Sequence, residues 1–590
     1  MKKWKKGLAL AFAAILATSG LTACSTDRGI SDDPNTINVE FFKGSYGVNW
    51  AYQLQGKFEA LYAEEGYKVN ILKPSSDMRN NVAIQQLARG YEETKADMYI
   101  SGGLDARKVG EQGEYGVLCE EISDIWNMKP IGFDGVEESK TLKEKVADGI
   151  YETYIDDYGK IYGIPYMTTT GGMVVNTRKL ALYGITTLPK TTDELFEIWE
   201  TIYFGANGME NSEKTMLFPF TYMPGSENGY TTDWMVCLMA QYDMAQFKEF
   251  WSWQTENEDG TVTWWEDGVT KAATNPGTFE SLKVFCHAFD INLASYGTST
   301  QTLDQAQAQI MKQNTGAIFM CNGSWYLNDM TLSYGNSLDD ITFINFPVIS
   351  ALADKLWADT VADETKREEM LRYAVEQVDD LDKTDDAQAI ATDMTTKYQT
   401  TVTKEDIEEV RRARYVYSNR TTGHEIVLTK GLPQNKKDIC YKFMRMLASD
   451  DTTQLISEYA NANSAYIRSP NTTSKYEFVR AASKIACMDY SYAVRNSAGG
   501  YKYVLTRTTS NGFMFGHIAG TITTTQNALS MYDGYGGKSG LTEEIYADFA
   551  QSLIDKEIGL CEDGFETWTM NNAENIVKYK ALWADKITNK

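Results

Sequence analysis

The feature that most limits what this chain can fold into is the alternation of strand-like and helix-like stretches between Ile37 and Ile100. In "INVEFF" (Ile37–Phe42), Ile37, Val39 and Phe41 alternate with polar neighbours, the two-residue period of a strand. Trp50, Leu54, Phe58 and Leu61 then recur at helical spacing, and "YKVNIL" (Tyr67–Leu72) alternates again. A helix is predicted around Asn80–Tyr91 and a strand at "ADMYI" (Ala96–Ile100). This order implies an α/β fold, a parallel sheet covered by helices. Such sheets bind ligands outside the carboxyl ends of their strands. The loops of interest are therefore Lys43–Asn49, Pro74–Asp77 and Ser101–Arg107.

The N-terminus bears on location. Lys2, Lys3, Lys5 and Lys6 precede an apolar run from Gly7 to Ala17, whose length and flanks suit a signal peptide better than a membrane span. The run leads to "LTAC" (Leu21–Cys24), which resembles the lipobox of bacterial lipoproteins. Residues 1–23 are then a lipoprotein signal peptide, Cys24 a lipid-modified N-terminus, and 24–35 a polar tether. The expected location is the extracytoplasmic face of the cell membrane. Removing residues 1–23 discards four lysines and no acids, taking the formal charge from −25 to −29. A chain this acidic repels nucleic acids and anionic lipid surfaces, so no nucleic-acid partner is expected.

Seven cysteines follow Cys24, at 119, 237, 286, 321, 440, 487 and 561, with no CxxC pair. Neither a zinc ribbon nor a redox dithiol is suggested, while disulfides remain open on spacing alone. His287, His424 and His517 are far apart in sequence. No metal and no cofactor is predicted.

Further along, "GKIYGIPYMTTTGGMVVNTRKL" (Gly159–Leu180) sets three threonines and two glycines between apolar runs. "TTDELFEIWETIYF" opens with a capping box, Thr191 to Glu194, and continues as an amphipathic helix. Aromatics then crowd the chain: Phe218, Phe220, Tyr222, Trp234, Trp251, Trp253, Trp264 and Trp265. "GAIFMC" (Gly316–Cys321) reads as a strand leading into the loop "NGSW" (Asn322–Trp325), and "ITFINFPV" (Ile341–Val348) as another strand. From about 350 to 420 the character changes to charge-rich helices, one striped by Leu371, Val375 and Val378, another capped by Thr403 and Asp406. This stretch reads as an inserted helical subdomain with charged outer faces, and is expected to be dispensable for ligand binding.

The order of "GKIYGIPY", "GGMVVNTRKL…GITTLPKTTDEL", "MKQNTGAIFMCNGSW" and "KKDICYKFMRMLASDDTTQLISEYANANSAYIRS" resembles the extracellular solute-binding proteins of bacterial carbohydrate ABC transporters, the group that includes maltose-binding protein. The resemblance implies a two-lobe, type II periplasmic-binding-protein-like fold with hinge crossovers. The first lobe would comprise 36–166 and 423–464, the second 170–349 and 466–590, with 350–420 inserted. The Thr–Gly stretch becomes a crossover, Gly171 and Gly172 relaxing the backbone beside a hinge while Thr168–Thr170 face the cleft floor. The partners implied are a carbohydrate, in oligosaccharide form, and ABC permease subunits; a monomer is expected.

Sugars present hydroxyls around apolar C–H faces, so their sites combine planar side chains with hydrogen-bonding groups. The "NGSW" loop resembles the family loop whose tryptophan stacks on a sugar, which nominates Trp325 with Asn322. Lys43, Ser45 and Tyr46 are candidates from the first strand's loop, and Ser101 and Asp105 from the loop after "ADMYI". Ser101 stands at or near a position where the maltose binder has an aromatic, so that stacking contact is lost. Asp77 and Tyr222 are further candidates. Two other classes fit part of the pattern: a secreted glycoside hydrolase, and a binding protein for a peptide or polyol. No nucleophile elbow, HExxH or P-loop supports an enzyme, and the tryptophan-rich middle favours saccharide over charged ligands.

Overall fold

The computed structural model describes residues 29–494 apart from 76–79, 111–114, 157–158, 224–228, 253, 260, 265–267, 289–292, 296, 381, 420–423 and 467–473. Beyond 494 it describes 546–548, 550–555, 558, 577 and 587–589. The predicted signal peptide, Cys24, Asp77, His517 and Cys561 lie outside these residues. No described helix is long and apolar enough to cross a membrane.

The strands that organise the molecule are, in chain order, β1 (Thr36–Phe41), β2 (Lys68–Ile71), β3 (Met98–Gly102), β4 (Gly163–Pro165), β5 (Met167–Thr168), β6 (Thr170–Asn176), β7 (Leu217–Thr221), β8 (Gly316–Gly323), β9 (Ile341–Ile344), β10 (Val416–Asn419), β11 (His424–Leu428), β12 (Asn463–Ser464) and β13 (Tyr492–Val494). They form two principal sheets, one in each of two α/β lobes. The first has the order β2-β1-β3-β11-β4, with β1 parallel to β2 and β3, and β11 antiparallel to β3 and β4. All six residues of β1 are buried, including polar Asn38 and Glu40. Alternation in the sequence suggested a strand with one polar face. A central strand covered on both sides buries that face too, and Asn38 answers with bonds to the Ser31 and Lys95 carbonyls.

In the second sheet the order is β13-β10-β6-β8-β7, and β9 also pairs with β6. One edge of β6 is shared by two strands. β9 pairs along Met173–Asn176, while β10 pairs with Thr170 and Gly171. The charge-rich helices leave this edge after Ile344 and return to it at Val416. Asn345 stitches the two ends, its Nδ2 donating to the carbonyls of Arg414 (2.7 Å) and Val416 (2.9 Å). Those helices are not an appendage. Leu371, Val375, Val378, Ile407 and Val410 are buried in the same cluster as Trp199, Phe220, Trp234 and Trp251 of the second lobe. Dispensability of 350–420 therefore fails on physical grounds: its removal would take away β10 and expose the apolar side of the second lobe.

Local signals in the sequence are realised as expected from short-range chemistry. Thr191 and Glu194 form a reciprocal capping box, as do Thr403 and Asp406. Asn176 ends β6 by capping the next helix, accepting from Lys179 N at 3.0 Å. The Lys179 ammonium is itself buried among four carbonyls, those of Gln309, Ile310, Thr315 and Ala317, at 2.9–3.1 Å. Burial, with Arg178 and Lys312 nearby, pulls its pKa down to about 7. The described cysteines, Cys119, Cys237, Cys286, Cys321, Cys440 and Cys487, are all buried and outside any disulfide.

Candidate functional site

The two lobes are joined where the Thr–Gly stretch and the end of the late helix pair run side by side. Met167 and Thr168 of β5 pair antiparallel with Ser464 and Asn463 of β12. The crossover reading explained Gly171 and Gly172 by hinge flexibility, and their geometry gives another reason. Neither has a positive φ. A Cβ on Gly172 would stand 2.5 Å from the Ile344 carbonyl oxygen, and one on Gly171 would meet Ser418 at 3.0 Å and Asp233 Oδ2 at 3.1 Å. These glycines admit β9 and β10 to the edge of β6.

Around this junction the carboxyl ends of both sheets converge. From the first lobe come Phe42 and Tyr46 after β1, Ser101 in β3, and His424 at the start of β11. The second lobe supplies Asn322 and Gly323 at the end of β8, then Ser324 and Trp325, and Asn419 at the end of β10. Thr170 N donates to Ser324 Oγ (3.2 Å) and Ser324 N donates back to the Thr170 carbonyl (2.9 Å), tying the crossover to the tryptophan loop. Trp325 is half-buried, its ring 5.3 Å from that of Tyr230 and tilted by 47°. On the opposite side, Tyr166 stacks on Trp50 at 5.8 Å and its hydroxyl lies 3.1 Å from His424 Nδ1. Tyr46 packs its edge against His424 at 5.5 Å.

A group of buried polar atoms here has no hydrogen-bond partner among the described residues: the Oγ1 atoms of Thr168, Thr169 and Thr170, Asn463 Oδ1 and Tyr466 Oη. Buried polar groups are otherwise nearly always paired, so such a concentration marks a place where a polar guest or ordered water completes the bonding. Burial pushes the Tyr46 and Tyr166 hydroxyls above their ordinary range and drives His424 down to about 4, so near neutral pH all three are uncharged. Asp329 is the nearby carboxylate on the rim; burial raises its pKa while bonds from Ser45 and Gln307 oppose the rise.

The sequence candidates divide by what the fold has already asked of them. Trp325, Asn322, Ser45 and Tyr46 come together at the junction. Lys43 is exposed on the same loop, its N–H donating to the Ser75 carbonyl at 3.1 Å. Ser101 is buried within β3, opposite Glu425. Asp105 spends its carboxylate on Arg107, accepting from its backbone N (3.1 Å) and pairing with its guanidinium (3.0 Å), which caps the short helix Ala106–Val109. Tyr222 stacks on Phe220 inside the second-lobe core, and its carbonyl accepts from Gln301 Nε2 at 2.6 Å. His424, Tyr166, Ser324, Asn328, Asp329 and Asn463 were missed. Of these only Ser324 carried a signal, as the inner residue of "NGSW". Among the described residues no group of His, Cys, Asp and Glu could hold a metal ion.

Residues 44–362 match the family described as bacterial extracellular solute-binding protein. The chain belongs to this family. A probable secreted solute-binding lipoprotein from Streptomyces coelicolor has a similar structure, with a TM-score of 0.51 and 13% identity over 89% of this chain and 99% of that one. A cyclic alpha-maltosyl-1,6-maltose binding protein from Arthrobacter globiformis aligns at a TM-score of 0.49 and 12% identity, over 89% and 99% of the two chains. At such identities the first likeness is one of fold, the two-lobe type II arrangement. A search of the curated proteins finds no sequence match. As a member of this family the protein is a solute receptor of the extracytoplasmic space.

Proposed function

We propose that the solute is a neutral saccharide, bound between the lobes with a ring face against Trp325 and its hydroxyls turned to the crossover. The observation that carries this reading is the set of unpartnered buried hydroxyls at 168, 169, 170 and 466 beside a half-buried tryptophan. Threonine and tyrosine hydroxyls donate and accept, as sugar hydroxyls do, and an aromatic face takes the apolar side of the ring. Binding would favour the closed arrangement of lobes turning about the crossovers, and the closed form would deliver the sugar to an ABC permease.

We further assign Cys24 as the lipid-modified N-terminus that tethers the receptor, as a monomer, to the outer face of the membrane. The first lobe is assigned to 36–166 and 423–464, the second to 170–349 and 466–590, with β10 at the end of the 350–420 insertion serving the second. A calorimetric screen of mono- and oligosaccharides tests the ligand. Binding without chemical change of the sugar is expected; cleavage of the oligosaccharide would make the protein a hydrolase, and binding of peptides alone would overturn the saccharide. Cys24→Ala should release the protein from the membrane fraction, and unchanged membrane association would remove the anchor.

A further inference from the structure

The helix that follows Trp325, Tyr326–Tyr334, belongs to the second lobe, yet two consecutive residues of its first turn bond to the first lobe. Asp329 Oδ1 accepts from Ser45 Oγ at 2.6 Å, a bond across 284 positions of sequence. Asn328 Nδ2 donates to the Ala460 carbonyl at 2.9 Å, at the end of the helix Asp450–Ala460, which packs on the first-lobe helix Asn49–Leu61. The remaining oxygen of Asp329 accepts from Gln307 Nε2 (3.3 Å) of its own lobe, so the carboxylate is aimed at Ser45 by a neighbour that does not move with the first lobe. The backbone N–H groups of both residues donate to the Trp325 carbonyl, at 2.9 and 3.2 Å.

We infer that Ser45 and Asp329 form an interlobe latch that holds part of the population closed before any ligand arrives. Ala460 adjoins the β12 crossover, so the Asn328 bond lies near the turning axis and changes least on opening. Ser45 stands on the loop beyond β1, away from that axis, and its bond to Asp329 breaks when the lobes part. The Ser45–Asp329 contact then exists in one state only, and a contact made in one state shifts the equilibrium by its own free energy. Because the latch and Trp325 share one helical turn, a ring stacked on Trp325 steadies the turn that holds the lobes together. The latch rests on the reading of the cleft as the ligand site only for its effect on affinity.

The test needs no ligand. Small-angle scattering of the full chain, with no sugar present, reports the opening of the lobes through the radius of gyration. Ser45 is exposed on a loop, so Ser45→Ala leaves the core intact, which the melting temperature checks. Loss of this exposed hydrogen bond should lower the closed-to-open ratio about five- to tenfold, and Asp329→Ala should do the same without adding to it in the double variant. An unchanged scattering profile in Ser45→Ala and in Asp329→Ala would overturn the latch. Where a sugar binds, the apparent affinity should fall in proportion to the lost closed fraction. Opening of both variants in a protein that binds no sugar would keep the latch and remove the saccharide.

Discussion

Trp325 lies with its six-membered ring on Gly323: a Cβ at that position would stand 2.0 Å from Cη2 and Cζ3 of the indole. The glycine is there because the ring is. Gly323→Ala should displace the ring while leaving β8 paired, since the obstacle is a side-chain end and not backbone. The expected result is loss of sugar affinity, a shifted tryptophan emission and a small change in melting temperature. Full affinity in this variant would detach binding from the ring's present position.

Truncating the ring itself is the stronger test. If Trp325 is the anchor, Trp325→Ala should weaken binding by on the order of 30- to 1,000-fold, about 2–4 kcal/mol. Trp325→Phe should keep part of the affinity because a ring face survives. Stability without ligand should fall by less than the roughly 3–5 kcal/mol of a core tryptophan. Calorimetry and thermal melts of the three proteins would show it; tight binding in the alanine variant would assign Trp325 to packing.

The helices between Ile344 and Val416 share the second lobe's core, and Leu371 is 1% exposed within it. Leu371→Ala should cost about 2–5 kcal/mol and lower the unfolding midpoint of the whole second lobe. A separate early transition, with the remainder unaffected, would show that these helices fold as an independent unit.

Asp97 is fully buried; its Oδ2 accepts from Asn38 N at 2.7 Å, and the Lys436 ammonium stands 3.9 Å away. Burial outweighs both and raises its pKa to about 6 from the 3.8 of an ordinary aspartate. The folded protein therefore holds this proton more tightly than the unfolded chain. The stability it contributes is present in full below about pH 4 and is lost as pH rises through about 6. Asp97→Asn keeps an acceptor for Asn38 and removes the buried charge. At pH 7 it should be neutral or stabilising, by at most about 3 kcal/mol, and urea unfolding should lose the component that falls between pH 4 and 6. A clear loss of stability at pH 7 would show that the Lys436 attraction dominates.

Lys179 holds four carbonyls at the meeting of β6, β8 and the helix Leu303–Met311. Lys179→Met fits the channel but leaves those carbonyls without their common donor, so a loss of about 3–5 kcal/mol in chemical denaturation is expected. A change below about 1 kcal/mol would mean that the carbonyls find other donors.

What the sequence determined by itself is what depends on near neighbours. Ile37, Val39 and Phe41 announce a strand, Trp50, Leu54 and Phe58 a helix, and Thr191 with Glu194 its boundary, because period and capping act over a few residues. The hydroxyls and small residues of the Thr–Gly stretch suit an active-site loop or a phosphate cradle as well as a crossover, and only the family resemblance carried by the order of motifs makes it a crossover. The tertiary structure decided which polar side chains are already engaged and which are not. Asp105 is claimed by Arg107 and Tyr222 by the core, whereas Thr168, Thr169 and Thr170 keep unpartnered hydroxyls. It also decided that Asp329 meets Ser45 and that Leu371 belongs with Trp199. Such facts follow from how two sheets approach each other. A hydrogen bond spanning 284 positions leaves no trace in local spacing, and an apolar helical stripe does not name the surface that will cover it.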